Sequence, residues 1–265
     1  MIYLNDERLE VNKFPNGEAL IKCENLKLNN NINEIRVHFE GDEDLTHLIF
    51  LKGHLDEMKL KANLVLPYMP YSRMDRTEGV TIFTLKYLCK LINSLNFESV
   101  TIYEPHSEVC TALLDRVKVV NMSKILTEKL LEELRTGDED VYLVFPDAGA
   151  AKRYGKQISY DRILTASKER DFKTGYINKL DINGEIKSKN YKAVIVDDLC
   201  SRGGTFLLTA SKLKEMGATE IYLVVTHCEN TIFEGELLTG DLITGIYTTN
   251  SILSKDHEKI KVYEI

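Results

Sequence analysis

The stretch Ala193-Val194-Ile195-Val196-Asp197-Asp198-Leu199-Cys200-Ser201-Arg202-Gly203-Gly204-Thr205 constrains this chain more than any other. Four apolar residues, three of them β-branched, are too few for a helix; two carboxylates, a small-residue turn and a segment of helical period follow. That order predicts a buried parallel strand, then a loop whose backbone N–H groups and following helix N-terminus hold a phosphate. Gly203 and Gly204 let the backbone approach an anion, and Thr205 supplies a hydroxyl and the expected helix cap. Asp197 and Asp198 would repel a phosphate, so they are assigned to ribose hydroxyls. A sugar phosphate fits the combination. From this segment alone, an ordinary strand–turn–helix connection with an acidic edge is the alternative.

The rest of the chain repeats the alternation of strand and helix. Leu48–Leu51, Ala62–Leu66 and Ser99–Tyr103 read as strands, with helical stretches at about 55–61 and over Phe83, Tyr87, Leu88, Leu91, Ile92 and Leu95. In the second half, helices are expected over Met122–Arg135, capped by Ser123, and over Phe206–Met216, closed by Gly217. Strands are expected at Tyr142–Phe145, Asp161–Ala166, Val194–Val196 and Ile221–Val225. Such alternation predicts an α/β protein of two tandem doubly wound parallel-sheet domains, 1–121 and 122–265. Two pairs of passages look like copies: Leu95–His106 with Met216–His227, and Leu64–Pro67 with Leu143–Pro146.

Composition narrows the partners. A net charge of −7 shows no basic face for nucleic acid, and no apolar run approaches membrane-spanning length. The N-terminus does not read as a signal peptide, and five cysteines without a CxxC pair read as reduced thiols. A cytoplasmic location is therefore expected.

In open α/β sheets, ligands gather outside the carboxyl ends of the strands. That rule collects Arg73, Asp75, His106, Asp147 and the 197–205 loop. His106 alone reads first as a structural hydrogen-bonding residue and is raised only by its neighbourhood, and magnesium prefers oxygen ligands. Lys168 and Arg170, with Arg162 and Lys173 nearby, lie in a polar stretch that reads as a surface loop or as a flexible cationic loop for phosphoryl transfer. Phe14, Asn16 and Glu18 form a turn with one stacking face and two polar groups.

Together these motifs resemble the ribose-phosphate pyrophosphokinase family over about residues 14–252. The resemblance implies domains of type I phosphoribosyltransferase-like fold and transfer of a diphosphate from Mg·ATP to the anomeric hydroxyl of a ribose 5-phosphate unit, releasing AMP. It places Phe14, Asn16 and Glu18 in an adenine-reading loop that reaches a neighbouring subunit, so a homo-oligomer, at least a dimer, is implied. Arg73, with Met74 and Asp75, matches the ATP-phosphate segment, and His106 and Asp147 match the metal-associated pair, His106 on the ATP side. Lys168 and Arg170 match the mobile catalytic loop. Asp197, Asp198, Ser201, Arg202, Gly203, Gly204 and Thr205 match the sugar-phosphate site, and Thr249-Asn250-Ser251-Ile252 resembles a late family motif.

The departures point to a finer reading. Ser201-Arg202-Gly203-Gly204-Thr205 replaces the family's Asp-Thr-Ala-Gly-Thr, exchanging a carboxylate for a guanidinium suited to a diphosphate. Met74 stands where a glutamine is usual, and only residues 77–79 separate Arg76 from the expected helix. These features resemble a phage-type branch, some of whose members use ADP-ribose as acceptor for NAD synthesis. A type I phosphoribosyltransferase and a non-catalytic nucleotide-binding homologue are the rival readings.

Overall fold

The computed structural model describes residues 1–23, 26–77, 79–135, 140–170 and 177–265, which fall into two units, Met1–Val120 and Asn121–Ile265. In the first unit the elements are β1 (Ile2–Leu4), β2 (Glu7–Arg8), β3 (Glu10–Lys13), β4 (Ala19–Lys22), β5 (Asn33–Val37), α1 (Glu43–Glu57), β6 (Ala62–Leu66), α2 (Thr84–Ser94), β7 (Val100–Tyr103), α3 (Glu108–Leu113) and β8 (Val117–Val120). The second has α4 (Met122–Leu134), β9 (Asp140–Phe145), α5 (Ala148–Tyr154), β10 (Ile163–Arg170), β11 (Ile177–Asn183), β12 (Tyr191–Cys200), α6 (Gly204–Glu215), β13 (Ala218–Cys228), β14 (Gly245–Thr249) and β15 (Ile260–Tyr263).

The first sheet runs β2-β1-β5-β6-β7-β8, parallel from β5 to β8 and antiparallel at β1 and β2. Its apolar side packs on two helices: Ile35, Leu64 and Ile102 share one cluster with Leu48, Leu51 and Leu55 of α1 and Leu85, Leu88 and Ile92 of α2. Each such side chain contributes about 1.5–3 kcal/mol by leaving water. Residues that alternate with these, Asn63, Thr101 and Tyr103, remain half-buried. Leu48–Leu51, expected as a strand, lies inside α1, because Leu45, Leu48, Leu51 and Leu55 recur at helical spacing. The strand that precedes this helix is β5, whose alternation buries Ile35 and Val37. The helix after Arg76 starts only at Thr84.

In the second unit the order is β11-β10-β9-β12-β13-β14-β15, parallel throughout except β10 with β11. Its central strands are buried on both faces, as parallel strands between helix layers are. Tyr142, Val144, Ala193 and Ile195 join Phe206, Ala210 and Leu213 of α6 in one cluster, while Phe145 on the other face stacks on Tyr154 of α5. Chain order reverses between β9 and β12: β9 leads through α5 to β10 on one side, and β12 onward continue on the other.

Four parallel strands stand side by side in each unit, β5-β6-β7-β8 and β9-β12-β13-β14. By position, β7 corresponds to β13, where Leu95–His106 and Met216–His227 end. β6 corresponds to β12, so the likeness of Leu64–Pro67 to Leu143–Pro146 does not mark equivalent strands. The cysteines are free thiols, and Cys200 faces Cys228 across β12 and β13. Among the described residues, no helix is long and apolar enough to cross a membrane.

Candidate active site

At the reversal, β9 and β12 part. Their ladder ends at Ile195 opposite Val144, while β12 continues along β13 as far as Cys200 opposite Cys228. Asp197 and Asp198, expected beyond the strand, are therefore still within it. The crevice between strands that diverge at such a switch point is where α/β sheets bind ligands. β9 delivers Pro146 and Asp147 to that place, and β12 delivers the two aspartates.

The three carboxylates are anchored differently. Asp147 caps α5, its Oδ1 accepting from Ala150 N at 3.0 Å. Asp197 is half-buried, and its Oδ1 accepts from Asp198 N at 2.9 Å. Asp198 is buried and paired with Arg153 of α5, Nη1 to Oδ2 at 3.1 Å. Burial, followed by the negative charges of Asp198 and Asp147, pushes the Asp197 carboxyl well above its usual value, although the Asp198 N–H works the other way. Burial would lower the Arg153 pKa, but Asp198 and the Tyr154 ring outweigh it and hold the guanidinium charged.

This donor set fits a hard divalent cation, since it is all oxygen and its accumulated negative charge is what a cation relieves. Among the described residues, no three His, Cys, Asp or Glu side chains form a ready-made cage. Few protein ligands, supplemented by water and substrate phosphate, are the usual arrangement for magnesium.

After Cys200 the chain turns into α6 through Gly203, whose φ of +79° is the left-handed conformation that glycine adopts without strain. A Cβ there would lie 2.8 Å from Leu237 Cδ2. Gly203, not Thr205, occupies the cap position; Thr205 is already inside the first turn of α6. The first N–H groups of α6 thus follow the turn directly and present the positive end of the helix dipole there. Residues 229–235 buttress the loop. Ser201 Oγ lies 3.0 Å from Thr231 Oγ1, Arg202 Nη2 donates to Glu234 Oε2 at 2.8 Å, and a Cβ on Gly235 would meet Arg202 O at 2.1 Å. Arg202 remains 71% exposed. Ser123 is no cap either: its Oγ donates to Asp197 O at 3.0 Å and lies 2.8 Å from Thr226 Oγ1.

Lys168 and Arg170, expected in a loop, lie at the end of β10, opposite Leu180 and Ile177 of β11. A two-stranded arm is held by its ladder and needs no hydrophobic period, so the polar stretch concealed it. The backbone of these two residues is described and their side chains are not; Lys173 lies outside the described residues.

The first unit holds the other expected residues. Phe14, Asn16 and Glu18 are exposed at the tip of the β3–β4 hairpin, where Phe14 N donates to Glu18 O at 2.8 Å. Arg73 and Met74 are exposed and Asp75 is half-buried in the turn after β6. His106 is half-buried beyond the end of β7, the neighbouring strand, so both segments follow carboxyl ends. Sequence reasoning missed Arg153 and gave Ser123 only the part of a helix cap. An arginine in the last turn of a short helix reads as a complement to its dipole, and nothing nearby in sequence marks Asp198 as its partner.

The chain has relatives along nearly its whole length. It is 27% identical to the ribose-phosphate pyrophosphokinase of Sulfurisphaera tokodaii over 266 residues, 97% of this chain and 89% of that one. Against the ribose-phosphate pyrophosphokinase of Mycoplasmopsis pulmonis it is also 27% identical, over 96% of this chain and 82% of the other. Residues 172–265 match the phosphoribosyl synthetase-associated domain. Among solved structures, phosphoribosylpyrophosphate synthetase from Mycobacterium smegmatis superposes with a TM-score of 0.78 at 17% identity, covering 97% of this chain and 86% of its own, which shows a common fold.

Proposed function

We propose that this chain, which belongs to the ribose-phosphate pyrophosphokinase family, moves a diphosphate from ATP to the anomeric hydroxyl of a ribose 5-phosphate unit. The anomeric oxygen forms a bond to the β-phosphorus, the bond from that phosphorus to the α-phosphate oxygen breaks, AMP leaves and the hydroxyl proton is released. One observation carries the reading: two acidic residues at the end of β12 run into a left-handed glycine turn that opens a helix. That order offers carboxylates that accept from sugar hydroxyls, followed by backbone N–H groups that donate to a phosphate.

Each group then has a task. Asp197 and Asp198 accept hydrogen bonds from ribose hydroxyls, and Ser201, Arg202, Gly203, Gly204 and Thr205 hold the 5-phosphate. Arg73, Lys168 and Arg170 neutralise charge on the transferring group, the largest contribution a protein makes to such reactions. Phe14 stacks on adenine while Asn16 and Glu18 read its edge, from a neighbouring subunit; Met74, Asp75 and His106 complete the ATP side. Asp147 and His106 are the residues that would hold magnesium, which would supply charge neutralisation for the transferring group.

Ribose 5-phosphate is the acceptor that the turn at Gly203 accommodates. The exposed Arg202 guanidinium favours a second one, ADP-ribose, whose diphosphate can take a bidentate contact that one phosphate monoester does not need. AMP release from Mg·ATP, measured with each acceptor in turn, tests both. Turnover with either is expected, and Lys168→Ala should abolish it while leaving ATP binding intact. Turnover with ribose 5-phosphate alone removes ADP-ribose. No AMP with either acceptor, in an enzyme that binds both, overturns the activity.

A further inference from the structure

The two adjacent aspartates of β12 are held by unlike anchors. Asp197 caps the peptide N–H that follows it, whereas Asp198 is 5% exposed and meets the Arg153 guanidinium at 3.1 Å. Arg153 stands on α5, the helix that Asp147 caps at its start, so one seven-residue helix spans from the end of β9 to the carboxylate of β12. Its neighbour Lys152 is exposed, and Tyr154 behind it is fully buried against Phe145. A buried carboxylate keeps both its charge and its rotamer only while a fixed cation answers it.

We propose that Arg153 is a positioning residue for the sugar acceptor: it fixes the direction of Asp198, which meets the ribose hydroxyls, and so sets acceptor affinity. The inference rests on the acceptor site assigned above. The influence of Arg153 on the acceptor passes through that carboxylate.

Steady-state kinetics on the full chain separate this role from a merely structural one. Arg153→Met should raise the KM for ribose 5-phosphate roughly 10- to 100-fold, the usual effect of removing the partner that orients a ligating group. The KM for Mg·ATP should stay within about twofold, since uniform damage would move both. Arg153→Lys should recover most of the loss, and Lys152→Met should behave as wild type. In the R153M/D198N double variant the effects should not add, because one acts through the other. An unchanged acceptor KM in R153M, an equal rise in both KM values, or full additivity overturns the role. Should R153M fail to fold, calorimetric binding of ribose 5-phosphate to Arg153→Gln decides instead, a raised Kd supporting the role and an unchanged one overturning it. The same titration keeps the two readings apart. Wild-type protein that binds ribose 5-phosphate without forming AMP overturns the activity, while an R153M variant that binds it as wild type does overturns the part assigned to Arg153.

Discussion

Side by side, the two units carry the same four parallel strands and differ at the flank. Beside β5 in the first lies β1, antiparallel and earlier in the chain, so no crossover helix follows β5 on that side. Beside β9 in the second lies β10, parallel and reached through α5. Only the second arrangement makes strands diverge from one edge in opposite directions, and there Asp147, Arg153 and the two aspartates of β12 gather. At the place that β12 holds in the second unit, the first has β6, and the turn that follows it carries Arg73. One framework thus presents carboxylates and a glycine turn in one copy and exposed cations in the other. Related parallel frameworks differ in the chemistry of their loops, which is where function on a common fold resides.

That contrast can be broken most severely at Asp198. Asp198→Ala should cut kcat/KM for the acceptor by about 100-fold or more, because it takes the carboxylate from the half-buried Arg153 as well as from the acceptor. Steady-state assays varying each substrate check it, with the KM for ATP nearly unchanged. Arg73→Ala should give the complementary pattern, lowering kcat/KM for Mg·ATP by about 10- to 100-fold while sparing the acceptor KM. If both variants impaired both substrates alike, the division of labour between the units would be wrong.

Smaller effects sharpen the same comparison. Gly203→Ala should lower stability by about 1–3 kcal/mol, since it combines a left-handed backbone with a contact on Leu237. Gly204→Ala meets nothing within 4 Å and should stay within about 0.5 kcal/mol, as denaturant titration would show. Asp197→Asn should stabilise the ligand-free protein by about 0.5–2 kcal/mol at pH 7, at the expense of turnover. The sign follows from proton binding: the folded-state carboxyl is raised above its ordinary value of 3.8, so the folded protein holds the proton more tightly. Wild-type stability is therefore lost as pH rises from about 4 towards the raised folded value. The melting difference between D197N and wild type should widen over that interval and vanish below it.

The strands at Ala62–Leu66 and Tyr142–Phe145 were legible because buried parallel strands are short, apolar and β-branched. β5 was not, since one of its three inward residues, Asn33, is polar and leaves only Ile35 and Val37 as an apolar signal, and the leucines of α1 then passed for the strand instead. β14 and β15 escaped notice as well, each having alternate residues that stay half-buried or exposed. At the site, the order Asp197-Asp198 through Thr205 was readable from local chemistry. The partners of that segment were not, because Arg153, Ser123, Thr231 and Glu234 reach it only through the packing of α5, α4 and residues 229–235.

Because β12 outruns β9, its last five residues keep a ladder on the β13 side alone. Amide hydrogen exchange along this one strand should consequently fall into two classes, slow through Ile195 and faster wherever an N–H turns away from β13. The Asp198 amide, which donates to the Asp197 carboxylate, becomes a natural reporter. Its exchange should slow when an acceptor immobilises the Asp197 carboxylate, turning a frayed sheet edge into a gauge of occupancy.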